Sequence, residues 1–120
     1  MKVETKQLEK AILSLEKALQ EEKNEYTRDA TIQRFEYTIE LSWKTGKKVM
    51  GTAQTSPRQV IRELAQSGLI DDPEFWFLAL ENRNLSSHSY KEELAERVYN
   101  FCKSFLPNAK NLLSRLQKVN

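Results

Sequence analysis

At 120 residues the chain is long enough to bury a hydrophobic core unaided and short enough to form one domain, taken as residues 1–120. A net charge of +2 on a chain that is 30% charged excludes the basic stripe of a dedicated duplex-DNA binder, while leaving room for a site that handles a few phosphates. The single cysteine, Cys102, excludes an internal disulfide and a multi-cysteine zinc site and fits a reducing compartment. No apolar run reaches the length of a membrane span, and the polar start Met1-Lys2-Val3-Glu4-Thr5-Lys6 lacks the apolar stretch of a signal peptide. The cytoplasm is therefore the expected location. Three glycines and three prolines favour long helices with short connections over a many-turned sheet.

From about Val3 to Glu22, Leu8, Ile12, Leu15 and Leu19 fall in steps of four, three and four, which is one helical stripe. Asn24 and Thr27 offer a turn and an N-cap. A second helix is predicted from about Arg28 to Met50, with Ile32, Phe35, Ile39, Trp43, Gly46 and Val49 on its apolar side. Gly46 in that interior costs about 1 kcal/mol relative to alanine, a penalty that a close helix crossing would explain. Glu36 and Glu40, one turn apart, read as solvated surface or as partners of Lys44.

Gly51 to Thr55 reads as a loop. Ser56-Pro57-Arg58-Gln59 then has the form of a helix start, with a serine cap, proline at the first helical position and glutamine three residues after the cap. The short helix carries Val60, Ile61 and Leu64 and ends at Gly68. Asp71-Asp72-Pro73 opens the next helix, whose block Phe75, Trp76, Leu78, Ala79 and Leu80 reads as core. The last helix is predicted from about Lys91 to Lys118, on a stripe of Leu94, Val98, Phe101, Cys102, Phe105, Ala109, Leu112 and Leu116. Pro107 is expected to kink it. Cys102 on that stripe reads as a buried, inert thiol. With no strand-like alternation and no repeat, the expected fold is all-α: an antiparallel up-and-down helical bundle of the four-helix type with an extra short helix.

The stretch with chemistry in it is Arg83-Asn84-Leu85-Ser86-Ser87-His88-Ser89-Tyr90, which holds the only histidine. Histidine is the side chain whose charge changes nearest neutral pH, and arginine is a fixed planar cation that fits phosphate oxygens. On an unbroken helix Arg83 and His88 would point about 140° apart. Joint action therefore requires the helix to end between them, or a second copy of the chain to complete the site. Ser86, Ser87 and Ser89 favour a break, since their hydroxyls compete for backbone hydrogen bonds. One histidine without a cysteine cluster cannot supply a nitrogen/sulfur metal site, and no glycine-rich loop is present to cradle a nucleotide. No metal and no cofactor are expected.

The order Arg83, Asn84, three residues, His88, one residue, Tyr90 resembles the R-x4-H-x-Y signature of HEPN domains. More narrowly, the chain resembles the small HEPN proteins paired with minimal nucleotidyltransferases and described as nucleotidyltransferase substrate-binding proteins. The likeness covers most of the chain: Arg34 to Lys44 resembles the family's second-helix segment, and Ser56-Pro57-Arg58, Val60-Ile61-Arg62-Glu63, Gly68-Leu69-Ile70 and Trp76 match its middle. The resemblance implies a two-fold homodimer in which the Arg/His elements of both subunits line one cleft. It further implies a metal-independent endoribonuclease toxin, acting on RNA and held by a minimal nucleotidyltransferase antitoxin. On that pattern His88 is the acid/base and Arg83 holds the scissile phosphate. Asn84 is a supporting hydrogen-bonder, and Tyr90 accepts adenylate from the partner. The alternative is a non-catalytic accessory subunit that binds substrate for the nucleotidyltransferase. The aromatics of the second and fourth helices are the expected dimer surface.

Overall fold

The computed structural model describes residues 2–120; Met1, the first residue of the expected domain, lies outside them. The helices are α1 (Lys6–Gln20), α2 (Glu25–Met50), α3 (Pro57–Gln66), α4 (Pro73–Leu85) and α5 (Glu92–Val119), with a short 3₁₀ turn at Ser86–His88 between the last two. No strand forms among the described residues. The α1 residue Ser14 meets Arg34 and Tyr37 of α2, and Glu9 and Glu16 meet Gln117 and Lys110 of α5, so α1 runs against both long helices. The expected up-and-down bundle is thus built from α1, α2, α4 and α5.

The short α3 is the added element, and it runs alongside α2 in the same direction. Leu64 rests on Gly46, and one turn further on Ser67 Oγ donates to Met50 Sδ at 3.7 Å. A Cβ at position 46 would stand 2.8 Å from Leu64 Cδ2, so glycine there is the condition for the close crossing that the sequence implied. At the far end of α3, Gly68 takes φ +75°, and the amides of Gly68 and Leu69 bond back to the carbonyls of Ala65 and Leu64. That left-handed turn, which glycine adopts without strain, closes the helix and folds Leu69 onto its last turn.

Two helix starts differ from expectation. The second helix begins at Glu25, because Asn24 is the cap: its side-chain oxygen accepts from the amides of Tyr26 and Thr27, and Thr27 Oγ1 accepts from the Asn24 amide. The first helix starts at Lys6 rather than Val3. Val3 is instead held extended by Asn120, whose side chain both accepts from its amide and donates to its carbonyl. At α3, Ser56 occupies the cap position and Pro57 the first turn as expected, but the serine makes no side-chain capping bond. Pro107 lies inside α5 at an exposed position, and the helix continues past it.

The apolar stripes meet as predicted: Leu8, Ile12 and Leu15, then Ile32, Phe35 and Ile39, then Val98, Cys102, Phe105, Ala109 and Leu112 are all buried. Aromatic rings tie α4 into this core. Trp76 stands edge-on to Phe105 at 5.4 Å, Phe105 edge-on to Phe35 at 5.0 Å, and Phe75 stacks on Phe101 at 5.1 Å. The fourth helix therefore turns its aromatics inward: Trp76 is 2% exposed and Phe77 8%. Its share of the expected dimer surface falls away, and the exposed tyrosines of α2 are Tyr26 and Tyr37.

The start of α5 is fixed by charge. Arg28 is buried on α2, and its guanidinium holds Glu92 at 2.7 Å, Glu96 at 3.2 Å and Asp29 at 3.2 Å; Lys23 also pairs with Glu96. Hydrogen bonds from Lys23 and Arg28 hold the Glu96 carboxyl below its ordinary value. A depressed carboxyl contributes stability that is present above its unfolded value and lost as the pH falls through the folded one. Arg28→Leu is therefore expected to lower unfolding stability by about 1–2 kcal/mol at neutral pH, with the difference from wild type shrinking under acid. Urea titrations at neutral and acidic pH check this; a gap that widened in acid would contradict it.

Candidate functional site

The chain between α4 and α5 is where the reactive side chains gather. The last turn of α4 stops because serines reach backwards: Ser87 Oγ donates to the carbonyl of Asn84 at 2.8 Å, and Ser86 Oγ, whose one proton is shared with a carboxylate of α2, lies 2.6 Å from that of Arg83. Helical carbonyls at a C-terminus lack amide partners, and these hydroxyls supply them. The chain then tightens into the 3₁₀ turn, with Ser89 N bonded to Ser86 O and Lys91 N to His88 O. The break expected between Arg83 and His88 is present, at Leu85/Ser86.

Arg83 is half-buried and turned towards α2. Its Nη1 donates to Glu36 Oε2 at 3.2 Å, and Ser86 Oγ lies 2.5 Å from that same oxygen. One carboxylate thus anchors both the arginine and the first residue of the turn, across a sequence gap of 50 residues. The Arg83 Nε is buried without a hydrogen-bond partner, while the side chain as a whole remains 35% exposed. The guanidinium is therefore oriented on one side and retains donors for an anion on the other.

His88 and Tyr90 form a second pair, on the exposed side of the turn. Imidazole Nδ1 lies 3.2 Å from the Tyr90 hydroxyl, and the rings stand edge to face at 5.8 Å. Tyr90 is 75% exposed. The contact bears on reactivity because a phenol can donate or accept. With Nδ1–H donating to the phenol oxygen, Nε2 is a free base. With the ring protonated at both nitrogens, Nδ1–H still donates to the phenol oxygen and the imidazolium Nε2–H is the acid. The same two residues present either half of a proton-transfer cycle.

Asn84 is exposed, its backbone carbonyl bonded to Ser87, and its side chain stands apart from both pairs. The buried asparagine of this helix is Asn82, whose Nδ2 donates to Leu78 O at 3.0 Å. Within one chain the hydrogen bonds of Arg83 go to Glu36 and Ser86 and those of His88 to Tyr90, so these five residues form two groups and Asn84 belongs to neither. Glu36 and Ser86 belong to the arginine's surroundings, and sequence reasoning missed both in that role. Only Glu40 pairs with Lys44, at 3.5 Å. Cys102 is buried, and burial pushes its thiol up to about 12, too high for a nucleophile at neutral pH. Among the described residues no group of three or more His, Cys, Asp or Glu side chains is placed to hold a metal ion. No described helix is long and apolar enough to cross a membrane.

Comparison with known proteins decides the family. Residues 3–118 match the family described as nucleotidyltransferase substrate binding protein like. The chain belongs to that family. One family relative is a Haemophilus influenzae protein named probable ribonuclease HepT, 32% identical over 97 residues, which span 74% of this chain and 66% of that protein. The match thus covers just under two thirds of the relative's length. A crystal structure of a Thermus thermophilus protein superposes with a TM-score of 0.85 at 32% identity, over 91% of this chain and 98% of the other. A Haemophilus influenzae structure, described as revealing the fold of a substrate binding domain of a nucleotidyltransferase, gives 0.84 at 27% identity, over 95% and 99%. The helical bundle is therefore the family's fold.

The Glu36 contacts carry a structural prediction. Glu36→Ala removes the acceptor shared by Arg83 and Ser86 and is expected to cost about 1–3 kcal/mol. Hydrogen exchange should quicken first in the amides of Ser86 to Ser89, ahead of the α2 interior. Protection lost evenly along α2 would contradict the anchoring role.

Proposed function

We propose that this protein is a HEPN toxin-like, metal-independent endoribonuclease whose activity is governed by a partner minimal nucleotidyltransferase, the two forming a toxin–antitoxin pair in the cytoplasm. The observation that carries the reading is the placing of the Arg83/His88/Tyr90 signature: the helix breaks between the cation and the imidazole, and the imidazole is solvent-facing with a hydroxyl at its second nitrogen. The relative named probable ribonuclease HepT supports it from a separate direction.

The chemistry follows from the side chains. His88 of one protomer, as base at Nε2, takes the proton of a ribose 2′-hydroxyl. The 2′-oxygen attacks phosphorus, the bond to the 5′-oxygen breaks, and a histidine in acid form protonates that leaving oxygen. Arg83 holds the phosphate and the charge that builds on its oxygens. In an in-line displacement the attacking 2′-oxygen and the leaving 5′-oxygen lie on opposite sides of phosphorus, out of reach of a single imidazole, which supports a homodimer whose two Arg83/His88 elements share a cleft. Asn84, exposed on the last turn of α4, is a supporting donor to the RNA.

Tyr90 is the proposed acceptor of the antitoxin's modification. Its exposed hydroxyl would attack the α-phosphorus of ATP, releasing pyrophosphate and leaving adenylate on the oxygen. The added phosphate occupies the space beside His88 and brings negative charge near Arg83, so RNA is kept out. A second reading has direct support from the family's description and from the Haemophilus structure described as a substrate binding domain: an accessory subunit that binds substrate for a nucleotidyltransferase without catalysis of its own.

Expression alone is expected to arrest growth and cleave RNA, and His88→Ala to abolish both, a loss of about 100-fold or more in rate. An inert wild type that still binds the nucleotidyltransferase supports the accessory reading instead. With partner and ATP, mass spectrometry should show adenylate on wild type and none on Tyr90→Phe; equal labelling of both removes Tyr90 as acceptor. Unmodified Tyr90→Phe should retain cleavage within about fivefold, the loss of one hydrogen bond to His88.

A further inference from the structure

The arginines of this chain are not used alike. Arg28, Arg83 and Arg115 each hold a carboxylate, and Arg34 is bonded to the Ser14 hydroxyl and the Ala30 carbonyl. Arg58 and Arg62 of α3 are different. Their guanidinium carbons lie 4.4 Å and 5.4 Å from the centre of the same ring, Phe77 of α4, and among the described residues neither forms an ion pair. Both are exposed.

Two like charges one turn apart on a helix oppose each other, and a single arginine would suffice to cover Phe77. The ring holds the pair through cation–π attraction and restricts its rotamers without neutralising it. What results is a pre-ordered, doubly positive surface whose outward donors match the oxygens of a phosphate chain and whose planes accept a stacked base. Phe77 lies six residues before Arg83 on α4, about 9 Å along the helix axis and about 120° around it, so a strand passing from Arg83 to the pair would wrap the end of that helix.

We propose that Arg58 and Arg62, laid over Phe77, are a second phosphate contact that grips single-stranded RNA beyond the bond being cut. The proposal rests on the ribonuclease reading and assigns its substrate grip to α3. Such contacts position RNA without reading its sequence, so their removal weakens all sequences alike.

The test uses the full chain carrying His88→Ala, so that RNA is bound and not cut, with labelled single-stranded RNA oligonucleotides of different sequence followed by fluorescence anisotropy across a salt series. Adding Arg58→Gln and Arg62→Gln should weaken binding to every sequence. It should also flatten the slope of log affinity against log salt by about 1.4, or about 0.7 for each substitution alone. The single substitutions serve if the double variant fails to fold, which circular dichroism reports. Unchanged affinity and slope in folded variants overturn the proposal and leave the ribonuclease reading standing. So does intact RNA binding with lost association to the nucleotidyltransferase, which would give the pair to an acidic protein surface. If His88→Ala protein binds no RNA and wild type cleaves none, the proposal and the ribonuclease reading fail together.

Discussion

One carboxylate decides where the reactive end of this molecule sits. Glu36, on the middle of α2, takes hydrogen bonds from Arg83 in the last turn of α4 and from Ser86 at the first residue past it. The last turn of α4, whose carbonyls meet the hydroxyls of Ser86 and Ser87, is thereby held against α2. Because α2 packs on α1, α3, α4 and α5 alike, this contact fixes the break relative to the whole core. Charge does the same on the other side, where Arg28 grips the first turn of α5. The segment carrying His88 and Tyr90 is thereby strung between two ionic anchors on a single helix.

That arrangement reconciles rigidity with exposure. The phosphate-binding role proposed for Arg83 requires an arginine held in place with donors to spare, and Arg83 commits only Nη1 to Glu36. The acid/base role proposed for His88 requires access to solvent and substrate, and His88 sits on the outer side of a turn only three residues long. The phenol oxygen of its neighbour Tyr90 can accept from Nδ1–H of either the neutral or the protonated imidazole, which leaves Nε2 to act as base or as acid in the proposed dimer. The same tyrosine, being exposed, is open to an enzyme that would silence the site. On the proposed reading regulation and catalysis lie within three residues, so that one added phosphate would alter both the partner of Nδ1 and the local charge.

Most of the fold was legible in the sequence because helix stripes are local patterns. The steps through Leu8, Ile12 and Leu15, and through Val98, Cys102 and Phe105, name core faces without knowledge of what covers them. Gly46 even announced a close crossing, since glycine in a helix interior is otherwise unfavourable; Leu64 is the reason. The helix break at Ser86 was readable for the same local reason. Glu36 was not. Its spacing to Glu40 and Lys44 gave a sufficient explanation within one helix, and its partner lies 47 residues away on a surface that exists only after packing. Arg28 likewise read as an ordinary first-turn residue, and its burial depends on α5 arriving beside it. The aromatics of α4 were read correctly as core, and with Trp76 and Phe77 buried the helix has few exposed rings to bring to a dimer surface.

The central claim is that Arg83 and His88 serve one phosphodiester. Its most direct test is a double-mutant cycle on the RNA cleavage rate, comparing wild type with Arg83→Ala, His88→Ala and the combined variant. Groups that act as a unit are strongly non-additive, so the account predicts that the double variant cleaves no more slowly than the slower single one. Losses that multiplied, or a single variant cleaving at the wild-type rate, would contradict it.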